Sequence, residues 1–332
     1  MSKQQLLFLK MADSGDEEKV AIQLSLNEGY PFRHALAMAK ALYNDLVIRF
    51  TPTEIYFKRA VSDVTYFFVI RGEDAYDYQY NVTNKAGKLV TEGIDVGVNT
   101  KDFSKYIKLI GRKEGYNMWI SQKFNLIYSQ VLKPGTTRNS VGIVNIIKIT
   151  DVNPVYPCYS TWSILKNPMC KIPIGELATA CNNICADRHS HVKLTFIGRG
   201  FSLENISPTA SGRYEQLGDT NSRADHKLVL ESKSKILDRL TLPLASSTVE
   251  TKNTPPNGKV KPRPKYNIVT EVRPELSVRY SIIKALSRAT NLSSPGTLVK
   301  VVWEPGKPLH LLFKVASYGT LSMYIRGDEK YK

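Results

Sequence analysis

The chain has 332 residues, and its hydrophobic and aromatic fractions of 42% and 10% allow sizeable cores, which excludes a disordered polymer. Its 46 Lys and Arg residues against 30 Asp and Glu give a net charge of +16, most of it after residue 150, and this favours a polyanionic partner such as nucleic acid. No apolar run approaches the ~20 residues of a membrane span, and Leu6 to Leu9 are too few for a signal peptide, so we expect a soluble protein that is not secreted.

Strand and helix patterns alternate through the first half of the chain. After an extension over residues 1–19, Val20 to Leu26 predicts a strand, and Pro31 to Tyr43 predicts a helix that begins near a proline. The apolar spacing predicts a second helix at Asn99 to Ile110. β-branched and aromatic runs predict further strands at residues 47–50, 54–58, 65–71, 117–122, 126–130 and 141–149.

The second half repeats this order of elements. Ile174 to Cys185 predicts a helix, and another is predicted around an apolar stripe of Val278, Ile282, Leu286 and Ala289. Strands are predicted at residues 192–197, 201–204, 226–232, 237–244, 297–303, 309–316 and 320–326. Residues 150–161 contain two prolines and no helical period, as in an extended connector. We therefore expect two similar domains, residues 20–149 and 162–332, joined by this connector.

A divergent insertion at about residues 206–275 interrupts the second domain. Within it, Thr251 to Tyr266 has four prolines, five Lys or Arg and no acidic residue. Such a segment cannot bury enough apolar surface to fold alone, which predicts a mobile basic loop. Its cations are candidate DNA contacts: Lys259, Lys261, Arg263 and Lys265.

The polar residues predict no catalytic centre. Five histidines are scattered among unrelated elements, and no Walker A lysine motif, HExxH or GxSxG occurs. Cys181, Cys185, His189 and His191 could supply four zinc ligands, but their spacing is not that of a standard finger. Cys181 also shares an apolar helical face with Leu177, as a simply buried cysteine would. We expect no metal, no cofactor and no enzymatic activity.

Three predicted helices carry basic side chains away from their apolar stripes. These candidates are Arg33 and Lys40 on the first helix, Lys101, Lys105 and Lys108 on the second, and Lys284 and Arg288 on the last. Taken singly, each stripe is typical of a solvated helix face. The helix at Ile174 to Cys185 differs, because its outward positions are Thr179 and Asn182.

A series of short motifs near the carboxyl terminus has a characteristic order and spacing. The motifs are Ala289-Thr290, Leu292-Ser293-Ser294, Pro308-Leu309, Phe313 to Ala316, Gly319 to Leu321 and Tyr324. Together with weaker likenesses at residues 20–26, 97–108 and 171–181, they resemble the proliferating cell nuclear antigen (PCNA) family of sliding clamps. The resemblance implies an α+β DNA clamp fold: two similar domains, each with antiparallel sheets outside and two helices inside.

The resemblance also implies a function and two kinds of partner. The chain would be a DNA polymerase processivity factor that binds double-stranded DNA non-specifically through helices lining a central hole. Lys40, Lys105, Lys108 and Arg288 match basic family positions, while the other helix candidates depend on helical geometry alone. DNA polymerase and other replication proteins would dock PCNA-interacting peptides on a pocket formed by Val155, Tyr156, Pro157, Pro308, Tyr324 and Ile325.

The sequence is consistent with more than one assembly of the chain. The resemblance implies a homotrimeric ring in which the strand at residues 141–149 pairs with that at 226–232 of the next copy. Positive charge beyond the hole is instead typical of viral processivity factors that hold DNA as an open dimer or monomer. It favours a divergent viral member, acting at the site of replication in a nucleus or a cytoplasmic viral factory. A checkpoint-type clamp subunit is a further alternative, and a metal-dependent nucleic-acid enzyme is the least favoured.

Overall fold

The computed structural model describes residues 20–61, 63–84, 86–135, 140–148, 170–184, 191–197, 200–206, 211–216, 227–231, 275–303 and 307–327. Four α-helices form within these ranges: α1 (Gly29–Leu42), α2 (Thr100–Ile107), α3 (Ile174–Asn183) and α4 (Tyr280–Leu286). A 3-10 helix, Ser287–Asn291, continues α4, and another lies at Gly72–Asp74. Along the described chain no helix is long and apolar enough to cross a membrane.

The strands divide between the two halves of the chain. The first half forms β1 (Val20–Leu26), β2 (Asp45–Phe50), β3 (Glu54–Ala60), β4 (Val64–Arg71), β5 (Asp77–Tyr80), β6 (Ile94–Asn99), β7 (Gly115–Ser121), β8 (Leu126–Leu132) and β9 (Ser140–Asn145). The second half forms β10 (Cys170–Pro173), β11 (His191–Ile197), β12 (Gly200–Ile206), β13 (Ser211–Gln216), β14 (Lys227–Glu231), β15 (Glu275–Arg279), β16 (Leu298–Val302), β17 (Leu309–Val315) and β18 (Gly319–Ile325).

These strands form three antiparallel sheets, and the largest contains strands of both halves. The two five-stranded sheets have the orders β5-β1-β7-β8-β9 and β14-β13-β12-β11-β15. The eight-stranded sheet has the order β10-β16-β17-β18-β4-β3-β2-β6. In it β18 pairs with β4 in a ladder from Gly319↔Ile70 to Ile325↔Val64. The end of the chain is thereby joined directly to its first half.

A salt bridge supports this junction at its end. The Arg279 guanidinium donates to both carboxylate oxygens of Asp63, at 2.5 and 2.6 Å. The backbone N–H of Arg326 donates to the Asp63 carbonyl at 2.8 Å. Asp63, which precedes β4, is thus bonded to residues that adjoin β15 and β18.

The core of the first half is built around α1, whose buried face contacts two sheets. The Phe32 ring stacks on Tyr116 of β7 at 5.0 Å between centroids and meets Phe57 of β3 edge-on at 5.4 Å. All three side chains are fully buried. Two buried tyrosines also donate hydrogen bonds to α1 and its cap, Tyr66 to the Ala35 carbonyl and Tyr318 to the Glu28 carbonyl, both at 2.9 Å. The orientation of α1 on the sheets is therefore fixed.

The structure confirms the predicted α+β class and most predicted elements, and it differs at several places. The predicted strand Val20 to Leu26 is β1, and Ile174 begins α3 as predicted. The last helix is shorter than predicted, because Val278 lies in β15 and the helix begins at Tyr280. The predicted strand at residues 141–149 ends at Asn145. Strands β5, β6, β10, β13 and β15 were not predicted.

Several predictions fall on residues that the structure does not describe. They are the extension at residues 1–19, the connector at 150–161, the strand at 237–244 and the basic loop at 251–266. The domain limits at 149 and 162 belong with them and stay predictions. Parts of the predicted insertion are described, and they form β13 and β14 beside β12.

Gly142 provides a test of the packing between β9 and α2. A β-carbon at this position would overlap the ring of Tyr106, which lies on α2. We expect Gly142→Ala to cost about 1–3 kcal/mol, because either the ring or the strand must move. Urea unfolding measures the loss. Gly296→Ala is the control, since no atom lies within 4 Å of the β-carbon it would add, and an equal loss in both variants would contradict this packing.

Candidate nucleic-acid interface

The four helices lie in one row, although they come from distant parts of the chain. Helix α2 packs on α1, α1 packs on α4 and its 3-10 continuation, and these pack on α3. The buried residues of each helix face the sheets, so the exposed residues share the opposite side. We name this side the helix face. All seven basic candidates of the helices belong to it: Arg33, Lys40, Lys101, Lys105, Lys108, Lys284 and Arg288.

Helix α2 contributes three exposed lysines in two different electrostatic states. The Asn99 side chain caps the helix by accepting from the backbone N–H groups of Lys101 and Asp102, at 3.0 and 3.3 Å. Lys105 donates to the Asp102 carboxylate at 2.8 Å, and this bond raises the pKa of Lys105. Lys101 and Lys108 have no such partner among the described residues. They are the lysines of α2 that are available to an external anion.

The cations of α1 and α4 also differ in how they are held. Lys40 and Lys284 are exposed. Arg33 is half-buried and donates to the Ile110 carbonyl at 2.8 Å, while half-buried Arg288 donates to the Ala37 carbonyl at 2.6 Å. Each guanidinium is thus fixed in position by a neutral acceptor and keeps its full charge. The two arginines connect α1 to α2 and to α4.

A cluster at the beginning of α1 was not predicted from the sequence. Two guanidiniums lie against the Tyr30 ring, with the Arg33 Cζ 5.6 Å and the Arg112 Cζ 5.9 Å from its centroid. The His34 ring meets Tyr30 at 4.5 Å between centroids. Burial and the charges of Arg33, Arg288 and Arg112 lower the pKa of His34 to about 4, against a hydrogen bond to the Arg288 backbone that raises it. Arg112 lies outside any helical stripe, so the periodicity could not find it.

Helix α3 is the neutral end of the row. Thr179 and Asn182 are exposed on it, at the outward positions predicted from the sequence. The Thr179 hydroxyl donates to the Gly175 carbonyl one turn earlier. Neither residue offers a charge to phosphate, so the charge of the helix face is concentrated on α1, α2 and α4.

The remaining DNA candidates lie outside the described residues. These are four of the five cations of the basic loop: Lys259, Lys261, Arg263 and Lys265. Their role stays a prediction.

The predicted peptide pocket is described only in part. Val155, Tyr156 and Pro157 belong to residues that the structure does not describe. Pro308 is half-buried, and Tyr324 is buried with its ring stacked on His310 at 4.3 Å. Ile325 is fully buried and, being adjacent to Tyr324 on a strand, points to the opposite side, into the core. We therefore leave Ile325 out of the pocket, because it cannot touch a peptide.

The cysteines that the structure describes are buried. Burial raises the pKa of the Cys170 and Cys181 thiols to about 12, so both stay protonated near neutral pH. Cys185 and His189 fall in the gap between residues 184 and 191. Across the ranges given above, no group of three or more His, Cys, Asp and Glu residues is placed to hold a metal ion.

Comparisons with known proteins identify the fold. No family model matches the sequence, and no curated protein matches it significantly. Among solved structures, the proliferating cellular nuclear antigen of Entamoeba histolytica superposes with a TM-score of 0.61 at 10% sequence identity. The match covers 93% of this chain and all of the other. The chain therefore has the α+β clamp fold of PCNA, as its sequence predicts.

Proposed function

We propose that this chain is a DNA polymerase processivity factor that holds duplex DNA against its helix face and tethers replication enzymes to it. The observation that carries the proposal is the row α2-α1-α4, which brings cations from residues 33 to 288 to one side of the molecule. These residues are far apart in the sequence, so it is the fold that brings them together. The PCNA-like clamp fold supports the same proposal.

The proposed contact is electrostatic and independent of base sequence. Lys and Arg side chains neutralise phosphates and release counterions, and they carry no information about the bases. Flexible exposed lysines such as Lys40, Lys101 and Lys284 can exchange one phosphate for the next, which permits sliding. The net charge of +16 extends the attraction beyond the helix face.

The salt dependence of DNA binding tests this proposal. The logarithm of the affinity falls with log salt at a slope of about −0.9 per neutralised phosphate. Replacing Lys101 and Lys108 together by Ala should therefore flatten the slope by about 2. Asp102→Asn should steepen it by about 1, because it frees Lys105 for phosphate. Fluorescence anisotropy of a labelled duplex between low and moderate salt measures both.

The control is a charge-matched double variant on strands. Lys171→Ala with Lys314→Ala removes two exposed lysines that alternate with core residues of the eight-stranded sheet and so face away from the helices. It should leave the slope within about 0.5 of the unmodified value. A slope that responds equally to both double variants would assign binding to overall charge, and the helix face would lose its role.

We further propose that copies associate through β9. This strand is the last of its sheet, so its outer edge has no strand partner in the described ranges. Val141 and Ile143 are 42% and 51% exposed on it, whereas Val144 is buried. Open edges with apolar side chains favour pairing with another chain. A closed homotrimer is the ring form, and an open dimer or monomer is the alternative that the net charge favours.

Light scattering distinguishes these assemblies. Ile143→Lys with Val141→Lys should lower the solution mass to that of a monomer, because the substitutions place charge on the edge without touching the core. Val61→Lys, at a 41% exposed position before β4, is the control and should leave the mass unchanged. If the unmodified chain is already a monomer at tens of micromolar, the open form is correct.

Replication proteins are the proposed protein partners, docking peptides near Pro308 and Tyr324. Burial of two aromatic anchors gives an affinity in the micromolar range, about −8 kcal/mol. Tyr324→Ala should weaken a polymerase carboxyl-terminal peptide at least tenfold in a calorimetric titration. Tyr76→Ala removes a tyrosine that is 63% exposed on the surface and serves as the control. Equal affinity for Tyr324→Ala and the unmodified chain would show that peptides bind elsewhere.

A further inference from the structure

The cluster around Tyr30 has properties that the general charge of the helix face does not explain. Arg33 and Arg112 both lie against one ring, and Arg288 is close enough for its charge to act on His34. Like charges brought together in this way repel one another. Yet within the described residues none of these arginines has a carboxylate partner.

Other half-buried arginines of this protein are neutralised. Arg49 has the Asp95 carboxylate at 3.1 Å, and Arg59 has the Asp45 carboxylate at 3.2 Å. Arg33 and Arg288 are also half-buried, but within the described residues they donate to backbone carbonyls and not to carboxylates. The fold can therefore provide counter-ions for half-buried guanidiniums, and at this cluster it does not.

His34 marks the centre of the uncompensated charge. Its Nε2 is shielded from water and has no hydrogen-bond partner among the described residues. The groups that face the ring are Tyr30 and Arg33 of α1, Arg112 after α2, and Arg288 of the 3-10 helix. All of the charges acting on it are positive. Burial is the first cause that keeps this imidazole neutral, and the arginine charges add to it. An anion placed here would offset the arginine charges and so favour the protonated imidazole.

We propose that Arg33, Arg112 and Arg288 form, around Tyr30 and His34, a fixed seat for one backbone phosphate of DNA. The inference rests on the proposed function and deepens it, because it distinguishes one positioned contact from the exchangeable lysine contacts. Guanidiniums held by carbonyls and by a ring are preorganised, so they lose little side-chain entropy when they bind phosphate. The seat gives the DNA a preferred position over the junction of α1, α2 and α4.

Occupation of the seat is coupled to a proton on His34. A phosphate offsets the charges of the three arginines, so the pKa of His34 is higher in the complex than in the free protein. The complex then binds one more proton, and DNA affinity rises as pH falls through the pKa of the bound state. Each unit by which that pKa rises makes the protonated form bind tenfold tighter.

The first experiment uses the unmodified chain and follows its histidines by NMR. At pH 5 the free protein should show neutral rings for His34 and for His310, whose pKa burial alone lowers to about 4. Addition of a duplex should convert the His34 signals to the protonated form and leave those of His310 unchanged. His310 is thus an internal control in the same spectrum. Inorganic phosphate at 10 mM, added in place of DNA, is the second arm.

Each outcome of this experiment has a separate meaning. DNA binding with protonation of His34 alone supports the seat. DNA binding without a change at His34 overturns the seat and leaves the proposed function standing. Absence of DNA binding overturns both. If inorganic phosphate protonates His34 and DNA adds nothing, the cluster is a site for free phosphate and the DNA assignment is wrong.

A variant of Arg112 provides a second, independent measurement. Arg112→Gln should weaken duplex binding about tenfold at 0.1 M salt, since one fixed phosphate contact is lost. It should also abolish the additional affinity gained between pH 7.5 and pH 5.5. Arg71→Gln, at an exposed position on the strand β4, removes the same charge and should change affinity less than about twofold. Equal effects of the two variants would contradict the seat.

Discussion

The antiparallel ladder between β4 and β18 is the interaction on which the rest of the structure depends. It joins the last strand of the chain to the fourth, so that one sheet serves both halves. Tyr66 of β4 holds α1 on that sheet through the Ala35 carbonyl. Helix α4 of the second half packs on α1 of the first half, across the junction that this ladder makes. Without this ladder the cations of α1, α2 and α4 would belong to separate surfaces.

The helix face retains charge at some expense of stability. Half-buried guanidiniums lose hydration, and without carboxylate partners they recover only the energy of hydrogen bonds to carbonyls. On strands the same side chains are paired, as Arg49 and Lys58 are with Asp95, both at 3.1 Å. Among the helix cations in the described part of the chain, Lys105 is the one paired with a carboxylate, that of Asp102. These strand cations therefore have carboxylate counter-ions that most cations of the helix face lack. The helix face is thus able to attract an anion.

The sequence predicts the elements with strong local patterns and fails where tertiary contacts decide. β1 and the beginning of α3 follow from apolar runs and a preceding proline. Val278 fits a helical stripe equally well, but pairing of β15 with β11 draws it into a strand. β5 has only four residues, and β6 contains Asp95 and Gly97 among its valines, so pairing with neighbouring strands decides both. The lysine stripes were predictable from periodicity, whereas Arg112 is brought to Tyr30 by the turn after α2.

Corresponding sheet edges in the two halves are covered by different strands, and this affects how copies of the chain would associate. In the first half the outer edge of β4 is covered by β18, the last strand of the other half. In the second half the corresponding edge, that of β13, is covered by β14 from the insertion. β9, the last strand of the first half, is left at the end of its sheet. If two copies paired in the way that β18 and β4 pair within one copy, β9 of one copy would lie against β14 of the next. The strand edge that decides whether a ring closes would then belong to the insertion.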